Sequence, residues 1–286
     1  RAQKKRKTRM HELPLLIFTL LVQGSVGMTV FLTLSARAAS RIPEVKHQLL
    51  PGMLLACVVG GLGLMVSTLH LGYPLNAFNA LRHVASSWLS REIVFASVYL
   101  AALGLCTLVM MVKKQLIPLL LPLAAVLGLI DVWCMSAIYA HTSVITWSHF
   151  NTWLMFYGAV GVLGAVAVAW LPILKARSMA RDRQAVMRFA AVVVVSIVAI
   201  RLLAQPDYMA YLASASLSGI VTLPHQPLES FTQLSGLRLF SWTLSVLGAL
   251  LFAVGAWRQG KSGIVLGSLL LVVSEVLFRF IFFSIN

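Results

Sequence analysis

The stretch Leu69–Glu92 reads LHLGYPLNAFNALRHVASSWLSRE and separates two long apolar runs. One run closes on His70 and the next opens on Glu92. A bilayer-spanning helix takes roughly 20 mostly apolar residues, and both runs reach that length. The stretch therefore reads as a compact loop between two membrane helices, with a titratable residue at each neighbouring helix end.

Working outward, eight apolar segments have spanning length: Leu13–Ser35, Leu49–His70, Glu92–Val112, Leu116–Tyr139, Thr152–Leu174, Val186–Ala204, Leu237–Trp257 and Ile264–Phe283. Hydrophobic residues make up 59% of the sequence and charged residues only 11%, where a soluble domain carries about a quarter charged. Mean hydropathy is +0.90. In lipid every backbone polar group needs a partner within its own segment, so the fold class expected is an all-α membrane protein, a bundle of eight transmembrane helices. The continuous runs exclude alternating barrel strands. Residues 1–10 read as a basic N-terminal extension with two explanations open: the first helix inserts against its basic flank, or the residues before Met10 do not belong to the natural start. Residues 11–286 read as a single eight-helix transmembrane anchor domain. The first run lacks a small-residue cleavage site and does not read as a signal peptide.

The formal charge of +15 is a topology signal, not a nucleic-acid footprint. Lys and Arg concentrate in cytoplasmic loops. The loops after the first, third, fifth and seventh segments carry Arg37, Arg41, Lys46; Lys113, Lys114; Lys175, Arg177, Arg181, Arg183; and Arg258, Lys261. The alternate loops carry little beyond Arg82, Arg91 and Arg238. Both termini and the His70–Glu92 loop are thus expected on the outer side. Arg1–Arg9 (RAQKKRKTR) runs against this count.

Ionisable residues inside apolar helices are costly and mark functional positions. Here they are His70, Glu92, Asp131, Arg201, Glu275 and Arg279, with His11 and Glu12 at the start of the first run. At 1.5 Å per residue, Asp131 and Arg201 lie about 22 Å from their cytoplasmic ends, and Glu275 and Arg279 about 17 and 23 Å. All of these fall in the outer half of the bilayer. A one-sided polar cluster suits a lipophilic substrate that reacts near one surface better than a transport route. Spacing predicts a Glu275–Arg279 pair four residues apart, and Asp131 with Arg201 is the second pair expected. A histidine can take a hydroxyl proton near neutral pH, and Glu92 can accept or relay another.

Cys57, Cys106 and Cys134 lie far apart within apolar runs, without metal-type spacing. They read as small hydrophobes, with no metal site. The histidines His47, His83, His141, His149 and His225 sit in loops or at helix ends, which disfavours a bis-histidine haem. Trp133, Tyr139, Trp147 and Trp153 read as an interfacial aromatic belt, with a headgroup wall as the alternative. Gln205–Gly236 reads as a long polar loop able to dock a partner. There is no internal repeat of the transporter kind.

These residues resemble the membrane anchor subunit of the dimethyl sulfoxide reductase complex. His11-Glu12-Leu13-Pro14 resembles the family's H-E-W-P, and H-L-G-Y-P-L-N-A-F-N-A-L resembles its H-L-G-S-P-x-R-A-F-N-S-L. Leu89-Ser90-Arg91-Glu92 resembles L-S-N-E, and Glu275 with Arg279 matches G-E-x-x-x-R. The resemblance spans nearly the whole sequence. It implies eight helices with both termini outside and a haem-free anchor that oxidises menaquinol. Electrons would pass to a four-cluster iron–sulfur subunit and then to a molybdenum-cofactor catalytic subunit, at the bacterial inner membrane. The family's quinol-associated histidine and glutamate map onto His70 and Glu92. Beside them Arg82 or Arg91 is expected to orient the headgroup or meet the electron-transfer partner, and Asn76 is counted among the quinol contacts. Asn76 stands where the family has arginine, and Arg91 where it has asparagine. Two other readings remain: a purely structural tether for an extrinsic enzyme, and a small-molecule transporter.

Overall fold

The computed structural model describes residues 2–39, 48–70, 81–171, 180–217 and 224–285. The side chains of residues 2–12, 38–39, 69–70, 81, 180–182 and 217 lie outside that description. Among the described residues the protein is helical: α1 (Ala2–Ala39), α2 (Leu50–His70), α3 (Trp88–Lys113), α4 (Leu120–Ala140), α5 (Asn151–Ala169), α6 (Ala180–Leu203), α7 (Gln205–Leu217), α8 (Pro227–Gln233), α9 (Ser235–Arg258) and α10 (Lys261–Ser284). Eight spans are long and apolar enough to cross a membrane, as the sequence predicts, and no sheet forms among the described residues.

α1 is the axis of the bundle. Its spanning window is 72% buried, against 28–56% for the others. The reason lies in its side chains, since Thr19, Gln23, Ser25, Thr29 and Ser35 all face inward and are fully buried. Without a hydrophobic drive between helices in lipid, small and polar residues make the interfaces. α1 meets α5 backbone to backbone at Gly27 and Gly164. A Cβ on Gly27 would collide with the Val160 carbonyl oxygen and lie 2.8 Å from the Gly164 nitrogen. Leu105, Leu108 and Met111 of α3 and Val58, Leu62 and Met65 of α2 face outward, as expected of lipid-facing positions.

One end of the bundle gathers the polar features. The α4–α5 connection is pinned to the end of α10: Thr146 donates to the Ile285 carbonyl at 2.6 Å and Trp147 Nε1 to the Phe282 carbonyl at 2.8 Å. Tyr208 and Tyr211 of α7 donate to the Thr146 and Ser148 carbonyls at 2.6 and 2.9 Å. The start of α3 stacks on the same connection, with Trp88 5.5 Å from the His141 ring.

Three expectations change here. The segment at Gln205–Gly236 is not a simple loop, because α7 and α8 occupy most of its described part. Its prolines sit where helices tolerate them, with Pro206 and Pro227 in first turns whose N–H groups have no helical partner. The aromatic belt is only partly a belt. Trp133 is exposed, but Tyr139 is buried among Trp147, Phe156, Phe282 and Phe283, with ring centroids 5.3–5.7 Å away. Finally, α3 begins one turn earlier than the apolar run, because Ser87 caps it by accepting from the Ser90 N–H at 3.4 Å.

Candidate functional site

The earlier start of α3 decides where Glu92 sits. It lies about 6 Å inside the helix, rather than at its tip. The preceding segment folds over the helix end. Arg91 Nε donates to the Val84 carbonyl at 2.9 Å and Nη2 to the Ala85 carbonyl at 2.6 Å. The same guanidinium lies over the Trp88 ring at 4.3 Å. Trp88 in turn stacks on His141, whose Nδ1 lies 2.9 Å from the Ala137 carbonyl. That contact seats the ring proton on Nδ1 and leaves Nε2 as an acceptor in the neutral imidazole. Glu92 is 4% exposed, and its Oε1 has no hydrogen-bond partner among the described residues.

Asp131 lies deeper on α4, the antiparallel neighbour of α3, about 14 Å from the Ala140 end. It is fully buried, and neither carboxylate oxygen has a hydrogen-bond partner. Glu92 lies within its electrostatic reach. An unpaired polar atom buried away from water is expensive, and native structures contain few of them. Three such oxygens lie on two packed helices, Glu92 Oε1 on α3 and Asp131 Oδ1 and Oδ2 on α4.

The other buried charges arrange themselves differently. Arg201 of α6 and Glu275 of α10 form a bidentate pair, Nη1 to Oε1 at 2.6 Å and Nη2 to Oε2 at 3.2 Å. Arg201 also donates to the Leu154 and Met155 carbonyls of α5 at 3.2 and 2.7 Å. Gly158 makes room for it, since a Cβ there would lie 2.6 Å from Arg201 Cζ. Every part of this guanidinium is used, so the pair is a staple of α5, α6 and α10. The two expected pairs are therefore corrected. Asp131 does not meet Arg201, and Glu275 turns to Arg201 rather than to Arg279. The cause is azimuth: Glu275 and Arg279 share a helix face, but a second helix brings Arg201 closer to Glu275. Arg279 instead donates through Nη2 to Gln23 Oε1 of α1 at 2.5 Å and lies over the Phe156 ring at 3.9 Å. Its Nη1 has no partner. Tyr139 lies within electrostatic reach of both Glu92 and Arg279.

His149 closes the same end of the bundle. Its Nδ1 accepts from the Asn151 N–H at 3.1 Å, and its Nε2 faces Asp207 at 3.4 Å. Burial pushes its pKa below the usual histidine value, with Asp207 offsetting part of the effect.

Of the residues predicted for the site, Glu92, Asp131, Arg201, Glu275 and Arg279 are all buried toward this end. Arg82 is exposed in the short turn Leu81–His83. His70 is the last residue of α2, but its side chain lies outside the described residues, as do Asn76 and the side chains of His11 and Glu12. Gln23 and His141 were not predicted for the site, and Tyr139 was named only as one of the interfacial aromatics. Gln23 was open to discovery, since an amide in the middle of Leu13–Ser35 breaks the same rule that marks a buried charge. Among the described residues no group of three or more His, Cys, Asp or Glu is placed to hold a metal. Cys106 and Cys134 are buried, Cys57 partly so, and all three are free thiols.

Comparison with known proteins agrees with this architecture. The family profile described as DMSO reductase anchor subunit (DmsC) matches residues 7–285. The protein is 29% identical over 287 residues to the YnfH polypeptide of anaerobic dimethyl sulfoxide reductase from Escherichia coli K12, covering 96% of this sequence and 95% of that one. It is 28% identical over 284 residues to the DmsC-type polypeptide of anaerobic dimethyl sulfoxide reductase from Haemophilus influenzae, covering 98% and 96%. The corresponding anaerobic dimethyl sulfoxide reductase polypeptide of Escherichia coli K12 is 36% identical over 151 residues, 51% of this sequence and 53% of that one. No solved structure matches the protein. With nearly its full length matched, this eight-span helical bundle belongs to the dimethyl sulfoxide reductase anchor subunit family.

Proposed function

We propose that this anchor oxidises menaquinol near the outer face of the bacterial inner membrane. Electrons pass to a four-cluster iron–sulfur subunit and on to a molybdenum-cofactor catalytic subunit. In this reading His70 takes one quinol hydroxyl proton and Glu92 takes or relays the other. Arg82 and Asn76 contact the headgroup or the electron-transfer partner. Arg91 shapes the loop above Glu92 through the Val84 and Ala85 carbonyls. Both termini and this loop face outward, as the loop charges argue.

The observation that carries the reading is Glu92 itself. A carboxylate buried one turn inside a membrane helix, with a free oxygen, directly follows the segment that begins at His70. A plain tether has no use for an unpartnered carboxylate at that depth. The test is titration of the purified complex with a fluorescent quinol analogue, comparing wild type with His70→Ala and Glu92→Gln. The expected result is weakened analogue binding or lost quinol-driven turnover in both variants. Unchanged binding and turnover in both would sink the assignment and leave the tether.

A further inference from the structure

We infer that Asp131 is the positioning partner of Glu92 in proton transfer, the two carboxylates acting as one proton-sharing pair. The inference rests on the quinol reading and deepens it.

The geometry carries it. Asp131 and Glu92 lie on adjacent antiparallel helices, both buried, within electrostatic reach of each other. No Arg or Lys among the described residues forms an ion pair with either, since the buried cation Arg201 is committed to Glu275. Arg279 reaches Gln23 instead. Two uncompensated charges buried within electrostatic reach of each other in an apolar interior are unfavourable, and such a pair is relieved when one of them holds a proton. Asp131 is too deep for solvent to serve it, so its exchange partner is Glu92. The other ionisable groups within its reach are Tyr99 of α3, Tyr157 of α5 and Cys134 on its own helix. Tyr99 is engaged by Ser25 and Thr29, and Tyr157 donates to the Leu129 carbonyl at 2.8 Å. Glu92 is thus the carboxylate left to Asp131.

The balance of the step is simple. Quinol loses two electrons to the iron–sulfur partner and two protons, one from each hydroxyl. One O–H proton goes to His70. As the other O–H bond breaks, a new O–H forms on the Glu92 carboxylate. Asp131 shares that proton across the pair while the quinone leaves. Glu92 then returns it to the outer solvent, and the pair recovers its resting charge.

The test uses the intact complex with Asp131→Asn, Asp131→Glu and Glu92→Gln. Three readouts are taken: fluorescent quinol-analogue binding, quinol-driven turnover across pH, and turnover driven by a small reduced dye that feeds the partner subunits directly. Asp131→Asn should keep analogue binding and dye-driven turnover but lose roughly 10- to 100-fold in quinol-driven rate. Its pH profile should move, and Asp131→Glu should restore much of the rate. A wild-type rate and pH profile in Asp131→Asn overturns the inference. So does a loss of dye-driven turnover in both Asp131 variants, which marks a structural role. If Glu92→Gln also behaves as wild type in binding and turnover, the quinol reading itself has failed.

Discussion

Arg201 and Glu275 form a buried bidentate ion pair across α6 and α10, at 2.6 and 3.2 Å. Asp131 and Glu92, at the same end of the bundle, have no such cation. The contrast separates two uses of charge inside a membrane. One set is fully compensated and holds helices together. The other retains oxygens without hydrogen-bond partners among the described residues, which is why proton exchange is the role proposed for it.

The first prediction concerns the compensated set. Glu275→Ala leaves the Arg201 guanidinium buried without its counter-ion. Breaking a buried pair by removing one partner costs about 3–5 kcal/mol. Thermal unfolding in detergent should therefore fall well below wild type. Gly158→Ala should act on the same element, because its Cβ intrudes on Arg201. The double variant should be less destabilised than the sum of the singles, as expected for residues in contact. Strict additivity would show that Gly158 and Glu275 do not share Arg201.

A second prediction tests the helix crossing. Gly27→Ala places a methyl against the Val160 carbonyl and the Gly164 backbone. Neither is a flexible side-chain end, so α1 and α5 must part. Overpacking of this kind typically costs about 1–3 kcal/mol. Gly104→Ala, where a Cβ meets nothing within 4 Å, is the control and should keep the wild-type melting temperature.

The third prediction is a pH effect at His149. Burial lowers its pKa in the folded protein, so the neutral imidazole is the form that the fold favours. The unfolded state then binds more protons below the ordinary histidine value near 6.5. The contribution is fully present above that value and is lost as pH falls through the lower folded one. Stability should therefore decline on acidification from about pH 7 to 5, and His149→Asn should flatten that part of the curve. Asp207→Asn removes the offsetting charge and should lower the His149 titration midpoint further, measured by NMR.

How much of this was legible in sequence follows the physics of each feature. Span number and length are one-dimensional properties, and the eight apolar runs matched the eight spans. Boundaries depend on caps. Ser87 adds a turn before Glu92, and Pro206 and Pro227 open helices inside what composition alone reads as loop. Partner choice depends on helix rotation, which spacing does not encode. The i to i+4 rule joins Glu275 to Arg279 within one helix, whereas the folded bundle brings Arg201 across from another. The depth of Asp131 was readable and that of Glu92 was short by one turn, while their lack of a cation partner among the described residues required the packed structure.

The last prediction is that turnover moves no net charge across the membrane. It turns on whether protons have a route from the Glu92 end toward the other side. The deepest polar network beyond Asp131 is Tyr99 with Ser25 and Thr29, at 2.7 and 2.9 Å. Ser25 donates its hydroxyl proton to the Ala56 carbonyl at 2.7 Å, and Thr29 donates to the Ser25 carbonyl at 2.9 Å. Each hydroxyl has one proton to give, so with the Ser25 and Thr29 protons on carbonyls the single Tyr99 proton serves one of its two contacts at a time. Among the described residues the network therefore ends on the Ala56 and Ser25 carbonyls. Farther along, Thr33 and Thr107 donate to the Thr29 and Leu103 carbonyls of their own helices at 2.9 and 2.7 Å. These are local helix bonds, and the contact of Thr107 across to Cys57 Sγ at 3.4 Å ends on a hydroxyl whose own proton is held by the Leu103 carbonyl. On the proposed reading, quinol protons taken at Glu92 leave by the face they entered. In proteoliposomes containing the whole complex, quinol-driven turnover should release protons on one side, generate no membrane potential and be unaffected by an uncoupler. A potential-sensitive dye responding to turnover would overturn both this prediction and the one-sided site on which it rests.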